Sequence, residues 1–314
     1  MRYINELREG MKAADIYMCK NKQAAVTKNG KEYINVILQD KTGTVDAKIW
    51  EPNSMGIEEF EKFDYIDISG DVTEFNGALQ LNIKRARRCR EGEYNDADYL
   101  PVSPKDIEVM YKELLNLMSS VENFYCKKLL HEIFVVDEEF VAKFKKSSAA
   151  KTVHHAFVGG LVHHTLSVTK LCDYYCTQYP VLNRDLLITV SICHDIGKVK
   201  ELSLFPTNDY TDEGQFIGHI VMGMEMVYEK IKGIENFPDS LSQQIRHCIA
   251  AHHGELEYGS PKKPSLIEAC ALNLADNTDA KMETFSEVIQ NSAQENEWIG
   301  MNRFLGANIK KTII

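Results

Sequence analysis

Residues 191–202 read SICHDIGKVKEL and place a histidine directly before an aspartate at the end of an apolar run. Neighbouring side chains on a helix point roughly 100° apart, so His194 and Asp195 add nothing to a hydrophobic stripe. A metal ion that approached from that side could use both side chains. For two such residues alone, a capping or solvated pair is the more ordinary interpretation, so the rest of the chain has to decide.

The histidines of this sequence are concentrated after residue 150. Ten histidines occur, and only His131 precedes that point. The others lie in KTVHHAFVGGLVHHTLSV, CHDIGK, FIGHIVMGMEM and IRHCIAAHHGELEYG. Imidazole nitrogens combined with carboxylates suit divalent first-row metal ions, and converging helices can collect such ligands in a bundle core. This clustering favours a metal site over isolated surface histidines.

Two aspartates in LNLADNTDAKM offer carboxylates for such a site. Asp276 follows the apolar run CALNLA, where an unpaired carboxylate would be energetically costly. That cost favours a metal ion or a salt-bridge partner for Asp276, and Asp279 is the alternative. His163 and His164 are likewise adjacent, so either could be the ligand from their segment.

The elements that must position these residues differ along the chain. From Tyr33 onward, YINVILQDKTGTVDAKIW and FDYIDISGDVTEFNGALQLNIKRARR alternate apolar and polar residues around turn signals at 40–43, 69–70 and 76–77. Residues 57–62 (IEEFEK) predict a short helical insert. Several short strands with glycine turns and no covering helices predict a small β-barrel.

The polar stretch GEYNDADYLPVSP (92–104) contains two prolines and breaks both periodicities, which is typical of a linker. Helical patterns then continue to about residue 292, with loops expected at 146–153, 205–216 and 255–264. We therefore predict a multidomain α+β protein with four parts: a barrel (1–93), a linker (94–103), an all-α domain (104–292) and a C-terminal extension (293–314).

Length and composition are those of a globular protein. The chain has 314 residues, of which 44% are hydrophobic and 26% charged, and this is enough for one large or two ordinary domains. No apolar stretch approaches the ~20 residues that span a bilayer, and the N-terminus lacks a signal-peptide core. We therefore expect a cytoplasmic protein. The eight cysteines include no CxxC pair and so indicate neither a zinc knuckle nor a disulfide framework.

The net charge of −10 argues against a protein that grips duplex nucleic acid by bulk electrostatics. Binding of a short single strand stays compatible with this charge, through a local basic patch or through metal ions that supply positive charge themselves.

The order H…HD…H…HH…D, with HDIGK intact, resembles the HD superfamily of metal-dependent phosphohydrolases. The additional histidines after residue 218 resemble two-metal members such as the HD-GYP phosphodiesterases, but ELEYGSP stands here where that group has Gly-Tyr-Pro. The segment HHAFVGGLVHHTLSV followed by HDIGKVKEL, behind a barrel module, is most similar to the YhaM-type 3′→5′ exoribonucleases. That resemblance covers both domains in order.

The resemblance implies a ligand set for two metal ions. The first ion would be held by four residues, His164, His194, Asp195 and Asp276. Asp195 would bridge to a second ion, which three further histidines would complete, His219, His252 and His253. His164 is preferred over His163 because it stands directly before Thr165-Leu166, as in the family's GGLxxHTL pattern.

The resemblance also implies the catalytic residues. Besides Asp195, Lys198 falls one helical turn beyond the His-Asp pair and would place its ammonium on a phosphate oxygen. His154, His155 and Arg303 are weaker candidates for contact with substrate.

Two divalent cations would generate hydroxide near neutral pH, align the phosphodiester and neutralise the leaving oxygen. As the resemblance implies, hydrolysis by metal-bound hydroxide would release nucleoside 5′-monophosphates from single-stranded RNA, with single-stranded DNA as a further substrate. Mn²⁺ is the expected metal. Fe²⁺ and Co²⁺ are alternatives, because a nitrogen-rich ligand set accepts several ions.

The strand pattern of the first domain resembles the OB-fold, whose barrels stack bases on aromatic rings and follow phosphates with basic side chains. The residues expected on the binding face are Tyr33, Lys48, Trp50, Phe75, Gln80, Asn82, Lys84 and Arg85. The segment KRARRCR (84–90) is a local basic patch on an acidic chain. Trp50 and Phe75 are equally compatible with a place in the barrel core.

Three functions from different classes are compatible with these patterns. The first is a metal-dependent 3′→5′ exoribonuclease whose barrel delivers a single strand to the metal site. The second is an HD-type phosphohydrolase acting on a small nucleotide, and the third is a non-catalytic nucleic-acid-binding protein. The complete ligand set argues against the third, and the basic patch favours the first over the second. A homo-oligomer is compatible with any of them.

Overall fold

The computed structural model describes residues 1–27, 29–75, 77–152, 155–290, 292 and 298–312. The chain divides into two units, residues 1–101 and residues 102–314. Each unit has its own hydrophobic core. None of the described helices is both long enough and apolar enough to cross a membrane.

The first unit is a closed barrel of five strands, which are β1 (Lys12–Val26), β2 (Glu32–Asp40), β3 (Gly43–Ile49), β4 (Tyr65–Phe75) and β5 (Ala78–Arg88). Their order around the barrel is β1-β2-β3-β5-β4. Only the β3–β5 pair is parallel, and the other four pairs are antiparallel. Alternation along β2, β3, β4 and β5 buries Leu38, Ile49, Ile66 and Leu81 inside. The predicted OB-fold barrel is confirmed.

Two features of the barrel differ from the sequence pattern. β1 begins at Lys12, ahead of the strands expected from Tyr33, and its polar second half (KNKQAAV) does not alternate in burial. The helical insert predicted at 57–62 is wrong. Ile57 instead forms a β-bridge with Ala86, and Phe60 enters the barrel core with 2% of its surface exposed. The apolar residues of this segment therefore pack against the barrel and do not form the apolar face of a helix.

The segment after β5 stays with the barrel as far as the unit boundary. Residues Asp96–Asp98 form a 3-10 turn, and Tyr99 and Leu100 are buried. The Gln39 side-chain amide donates a hydrogen bond to the Tyr99 carbonyl at 3.0 Å. Much of the stretch expected as a linker therefore packs on the first unit.

The second unit is a bundle of ten helices within the described residues. They are α1 (Ile107–Ser119), α2 (Phe124–His131), α3 (Glu138–Lys146), α4 (Gly160–Gln178), α5 (Arg184–Cys193), α6 (Lys198–Glu201), α7 (Asp212–Ile217), α8 (His219–Lys232), α9 (Asp239–Ala251) and α10 (Ile267–Gln290). The all-α prediction for this domain is confirmed. A π-turn (Glu132–Val136) joins α2 to α3.

Two elements of this unit lie where no regular structure was expected. α7 occupies part of the loop predicted at 205–216, because the Thr211 hydroxyl caps its first turn by accepting from the Gly214 amide. Within the C-terminal extension, strands β6 (Trp298–Asn302) and β7 (Ala307–Lys310) form an antiparallel hairpin.

Helix α5 runs through the interior of the bundle, and this determines where the residues that follow it lie. Its residues from Leu186 to Cys193 are all buried, and the side chain of Asn183 caps its start by accepting from the Leu186 amide. A helix that is apolar on every side belongs in the centre of a bundle. The end of α5 therefore delivers the His194-Asp195 pair into the protein interior.

Candidate metal centre and nucleic-acid face

Five helices bring the predicted metal ligands into one cluster inside the second unit. α4 supplies His164, and the turn that ends α5 supplies His194 and Asp195. The remaining ligands come from the start of α8, the end of α9 and the middle of α10, and they are His219, His252, His253 and Asp276. Side chains from distant parts of the sequence therefore meet at the ends and inner faces of packed helices.

One half of the cluster surrounds the Nε2 atom of His164. This atom lies 3.3 Å from His194 Nε2, 3.3 Å from Asp195 Oδ2 and 3.2 Å from Asp276 Oδ1. Two imidazole nitrogens and two carboxylate oxygens are hard-to-intermediate donors of the kind that divalent first-row ions accept. These four atoms form the first candidate metal site.

The other half of the cluster faces the second oxygen of Asp195. Asp195 Oδ1 lies 3.5 Å from His219 Nε2 and 3.6 Å from His252 Nε2. His253 joins them, since one donor atom each from His219, His252 and His253 lies within 4.8 Å of the others. The two oxygens of Asp195 thus point to two different groups of histidines, which is the arrangement a bridging carboxylate requires.

Three buried atoms of the second group have no hydrogen-bond partner among the described residues. They are Asp195 Oδ1, His219 Nε2 and His252 Nε2. A buried polar atom without a partner costs free energy, and native structures rarely keep one without a reason. All three atoms face one another, so a single divalent cation would satisfy them together. The residues present therefore fit a metal ion.

The five histidines of the cluster share one tautomer. In each of them Nδ1 faces a protein oxygen at 2.7–2.9 Å, and the acceptors are Asp279 Oδ2, Ser191 O, Glu201 Oε1, Ile249 O and Tyr258 O. Carbonyl and carboxylate oxygens only accept, so Nδ1 carries the proton. In the neutral form of each ring the lone pair of Nε2 is then free for a metal, as in metalloproteins where an outer oxygen orients the ligand.

Burial sets the charge states of the cluster. It lowers the pKa of His194 and of His253 to about 4 each, so both imidazoles are neutral at neutral pH. Burial alone would raise the pKa of Asp276, but its hydrogen bond with His164 and the neighbouring imidazoles hold that pKa below the usual range. Neutral histidines and ionised aspartates are the forms that bind divalent ions.

Burial would lower the pKa of His252, but its contact with Asp195 raises that pKa. His164 differs most, because three carboxylates contact it. Burial would lower its pKa, but the hydrogen bonds with Asp195, Asp276 and Asp279 outweigh that effect and raise the pKa well above the usual value. A metal ion that binds at His164 Nε2 therefore displaces a proton.

The structure separates the residues between which the sequence left a choice. Asp276 approaches His164 at Nε2, whereas Asp279 accepts from the opposite ring nitrogen, Nδ1, at 2.7 Å. His163 turns away from the cluster toward His155, with the two ring centroids 4.7 Å apart. His164 and Asp276 therefore have the geometry of ligands, and Asp279 that of a residue that orients one.

Lys198 and Glu201 flank the cluster on the short helix α6. The Lys198 ammonium donates to Asp195 Oδ2 at 2.6 Å. Glu201 was missed by the sequence reasoning, yet its Oε1 accepts both the backbone N–H of His219 at 3.0 Å and the Nδ1–H at 2.9 Å. α8 begins after Gly218 without any side-chain cap of its own, and an uncapped buried helix start is the signal that could have revealed a distant acid.

Gly197 allows α8 to approach the turn that carries the His-Asp pair. A Cβ atom added at Gly197 would lie 2.0 Å from the His219 carbonyl oxygen and 2.7 Å from the Gly223 amide nitrogen. Any larger residue would have to push the start of α8 away. The glycine of HDIGK is thus a packing requirement of the second candidate site.

The three weaker candidates for substrate contact have different outcomes. His155 is buried and its Nε2 lies 2.9 Å from Asp279 Oδ2, so it supports the first candidate site from outside. Arg303 is exposed in the turn between β6 and β7, and no described contact joins it to the cluster. His154 lies outside the described residues.

On the barrel surface, three predicted residues form an aromatic and basic group in which Trp50 is exposed and Tyr33 and Lys48 are half-buried. The rings of Tyr33 and Trp50 are stacked with centroids 5.1 Å apart. The Lys48 ammonium lies 4.9 Å from the Tyr33 centroid and 5.7 Å from that of Trp50. Trp50 is 43% exposed, and its indole N–H donates to Asn82 Oδ1 at 2.9 Å. This group is an outer surface and not barrel core.

The other predicted residues also lie outside the barrel core. Asn82 pairs with Lys48 across β3 and β5, and Gln80 precedes it on the outward-facing alternation of β5. Phe75 lies at the end of β4 with 60% of its surface exposed, and Arg85 is exposed on β5. Trp50 and Phe75, which the sequence left between core and surface, are both on the surface.

Much of the basic patch at 84–90 is neutralised by acidic neighbours. Lys84 pairs with Asp71, and Arg88 pairs with Asp64 at 2.9 Å. Arg87 contacts two acids, Asp67 at 3.2 Å and Glu93 at 2.8 Å. We therefore expect the group of Tyr33, Lys48 and Trp50 to contribute more to the binding of a single strand than the charge of this patch.

Comparison with known proteins places both units among described relatives. Residues 161–281 match the HD domain family. A 3′-5′ exoribonuclease YhaM from Geobacillus sp. (strain WCH70) is 33% identical over 280 residues, covering 88% of this chain and 85% of that protein. YhaM from Bacillus subtilis (strain 168) is 33% identical over 288 residues, with 90% of each chain covered.

Among solved structures, the second OB-fold domain of replication protein A from Methanococcus maripaludis is 18% identical, with a TM-score of 0.24. It covers 30% of this chain and 98% of that domain. The match to the two curated proteins, by contrast, is long enough to span both units.

Proposed function

The chain belongs to the family of YhaM 3′-5′ exoribonucleases, and we propose that it removes nucleotides from the 3′ end of single-stranded RNA in a reaction that needs divalent metal ions. The observation that carries this proposal is the group of buried orphan atoms on Asp195, His219 and His252. Buried polar atoms without partners destabilise the fold, and coordination of a divalent cation would offset that cost.

The proposed centre holds two ions. His164, His194 and Asp276 would hold the first with one oxygen of Asp195, and the three remaining histidines the second with its other oxygen. The distances of 3.2–3.6 Å between neighbouring donor atoms support this division. Mn²⁺ is the proposed metal and Fe²⁺ or Co²⁺ would also suit the nitrogen-rich set.

When bound, a pair of divalent cations activates a water molecule as nucleophile and neutralises charge on the phosphodiester. The chain's own residues prepare that chemistry. Asp195 presents one oxygen to each half of the cluster, and the Nδ1 acceptors hold five imidazole rings in place. Lys198 fixes Asp195 and brings its positive charge beside the position of the scissile phosphate.

The barrel supplies the proposed strand-binding function. Stacked rings and an ammonium group on an exposed β-surface suit single-stranded nucleic acid of any sequence. A strand held on the barrel has its 3′ end at a raised local concentration for the linked helical unit. Single-stranded DNA is a further proposed ligand. The cytoplasmic location and a homo-oligomeric state stay predictions from the sequence.

One assay tests the proposal. A 5′-labelled single-stranded RNA is incubated with the purified protein in EDTA or in Mn²⁺. We expect a ladder of 5′-labelled products that shortens from the 3′ end with Mn²⁺ and an intact RNA with EDTA. An RNA that stays intact under both conditions would contradict the proposal and leave the phosphohydrolase of a small nucleotide as the better interpretation.

A further inference from the structure

The second candidate site is open to solvent at His219 and His253. The His219 side chain is 13% exposed and His253 is half-buried, while in the first site His194 is fully buried, the His164 side chain is 2% exposed and the Asp276 side chain is 17% exposed. The rings of His219 and His253 have centroids 5.1 Å apart. A substrate that reaches the second site therefore meets these two histidines first.

A short turn that follows His253 is fixed to that open side. The Tyr258 carbonyl accepts from His253 Nδ1 at 2.9 Å. The Ser260 hydroxyl contacts the Ala250 carbonyl at 3.0 Å and the Lys262 carbonyl at 2.8 Å, which ties the turn to the end of α9. Gly259, with a φ of +83°, ends the turn in the left-handed region that glycine favours.

This fixed turn holds a large aromatic ring in solvent. Tyr258 is 66% exposed although its backbone is bonded to a residue of the cluster. An exposed ring on a mobile loop needs no explanation, but this one belongs to a turn whose backbone is bonded to His253, a half-buried residue of the second candidate site. Aromatic rings at such positions bind nucleobases by stacking, and the contact tolerates every base because each has a π-face.

We propose that Tyr258 stacks on the base of the 3′-terminal nucleotide and so positions the last phosphodiester at the metal cluster. The inference rests on the proposed function, since it assigns a base-binding site to the same reaction. It explains how an exonuclease without sequence preference would still hold a single terminal nucleotide in register. The chemical class of the ligand is a purine or pyrimidine base at a free 3′ end.

The test removes the ring and the base separately and then together. kcat/KM for loss of the first nucleotide is measured in Mn²⁺ with wild type and Tyr258→Ala, each on RNA with a normal and with an abasic 3′-terminal nucleotide. We expect about a tenfold loss from either change alone and no further loss when both are combined, because the two changes remove one contact. Tyr258→Phe should behave as the wild type.

The control is Tyr179→Ala. Tyr179 is exposed to a similar extent, 60% against 66%, but follows α4 at its far end. The kcat/KM of Tyr179→Ala should fall about tenfold on the abasic RNA, as that of the wild type does. If the losses from Tyr258→Ala and from the abasic nucleotide multiply when they are combined, the inference is overturned. It is also overturned if only Phe216→Ala, which removes the exposed ring ahead of α8, shows losses that do not multiply. Failure of the wild type to shorten any RNA would instead contradict the proposed function itself.

Discussion

At the scale of single residues, Asp195 has a position that no other described carboxylate shares. Its Oδ2 lies 3.3 Å from His164 Nε2, and its Oδ1 lies 3.5 Å from His219 Nε2. A neutral amide in its place would present one oxygen and one N–H group, and the N–H group repels a cation. Both halves of the centre depend on the charge of this one side chain.

We therefore expect Asp195→Asn to reduce RNA hydrolysis in Mn²⁺ below detection while the affinity for single-stranded RNA, measured by fluorescence anisotropy, stays within about twofold. The matched control is Asp173→Asn on α4, which breaks the 2.7 Å ion pair with Arg184 in the same unit. Since exposed pairs contribute only about 0–1 kcal/mol, that variant should stay active. Hydrolysis retained by Asp195→Asn would remove the bridging role.

Glu201 orients one ligand of the second site only. Its Oε1 accepts from both the backbone and the ring of His219, and outer-shell acceptors of this kind change metal affinity by roughly 10- to 100-fold. We expect Glu201→Gln to weaken one of two Mn²⁺ binding events by at least about tenfold in isothermal titration calorimetry of the metal-free protein, and to leave the other event unchanged.

Glu268→Gln is the control for this variant. Glu268 is as buried as Glu201, 7% against 8% exposed, and its Oε1 accepts one backbone amide, that of Asn183. It has no part in the cluster, so both Mn²⁺ events should keep their wild-type affinities. Two unchanged events in Glu201→Gln would show that His219 needs no outer acceptor.

At the scale of elements, the approach of α8 to the HDIGK turn depends on Gly197. A Cβ atom there would lie 2.0 Å from the His219 carbonyl oxygen, and overpacking of this kind costs about 1–3 kcal/mol. We expect Gly197→Ala to lower the thermal unfolding midpoint and to weaken Mn²⁺ binding. Gly233→Ala, where the nearest atom is at an ordinary 3.4 Å, should do neither. An unchanged midpoint in Gly197→Ala would mean that α8 moves freely.

The barrel face gives a second prediction at this scale. Trp50 stacks on Tyr33 with 43% of its surface exposed, and loss of one base–ring stack costs about 1–3 kcal/mol. Trp50→Ala should therefore weaken single-stranded RNA binding at least fivefold in fluorescence anisotropy. Trp298→Ala, on the hairpin of the other unit and 58% exposed, should not. Equal effects of both variants would exclude a specific role for the barrel face.

The sequence contained the inner residues of the site but not their supports. Asp276 was identified because an unpaired carboxylate after an apolar helical run is energetically costly, whereas His194 and Asp195 were assigned as ligands from the resemblance of HDIGK to the HD superfamily. Glu201 could not be found this way, since its role arises when α6 packs against the start of α8. Its one local signal is the missing side-chain cap at the start of α8, which does not say which acid supplies the acceptor.

The same distinction holds for the elements. The alternating strands from Tyr33 and the buried run of α5 follow from local periodicity. β1 was missed because its second half, KNKQAAV, does not alternate polar and apolar residues. Residues 57–62 resemble a helix locally. Packing Ile57 and Phe60 against the barrel, however, stabilises the fold more than a single turn of helix on the surface would.

At the scale of the whole molecule, charge alone does not explain a nucleic-acid enzyme. The chain has a net charge of −10, and the arginines and lysine of the patch at 84–90 are largely paired with acids. Binding of RNA has to come from stacking on the barrel and from cations in the helical unit. We expect a long RNA to use both contributions and a short one to use the second.

Removal of the first unit should separate these contributions. Residues 102–314 have their own core, so we expect the fragment to fold and to hydrolyse an oligonucleotide too short to reach the barrel at nearly the full-length rate. Its KM for a long single strand should rise by tenfold or more, because the strand is no longer tethered to the chain that carries the centre. The KM of full-length Trp50→Ala for the long strand should lie between those of the wild type and the fragment. An unchanged KM for the long strand, in a fragment with a normal unfolding midpoint, would remove the barrel from the path of the substrate.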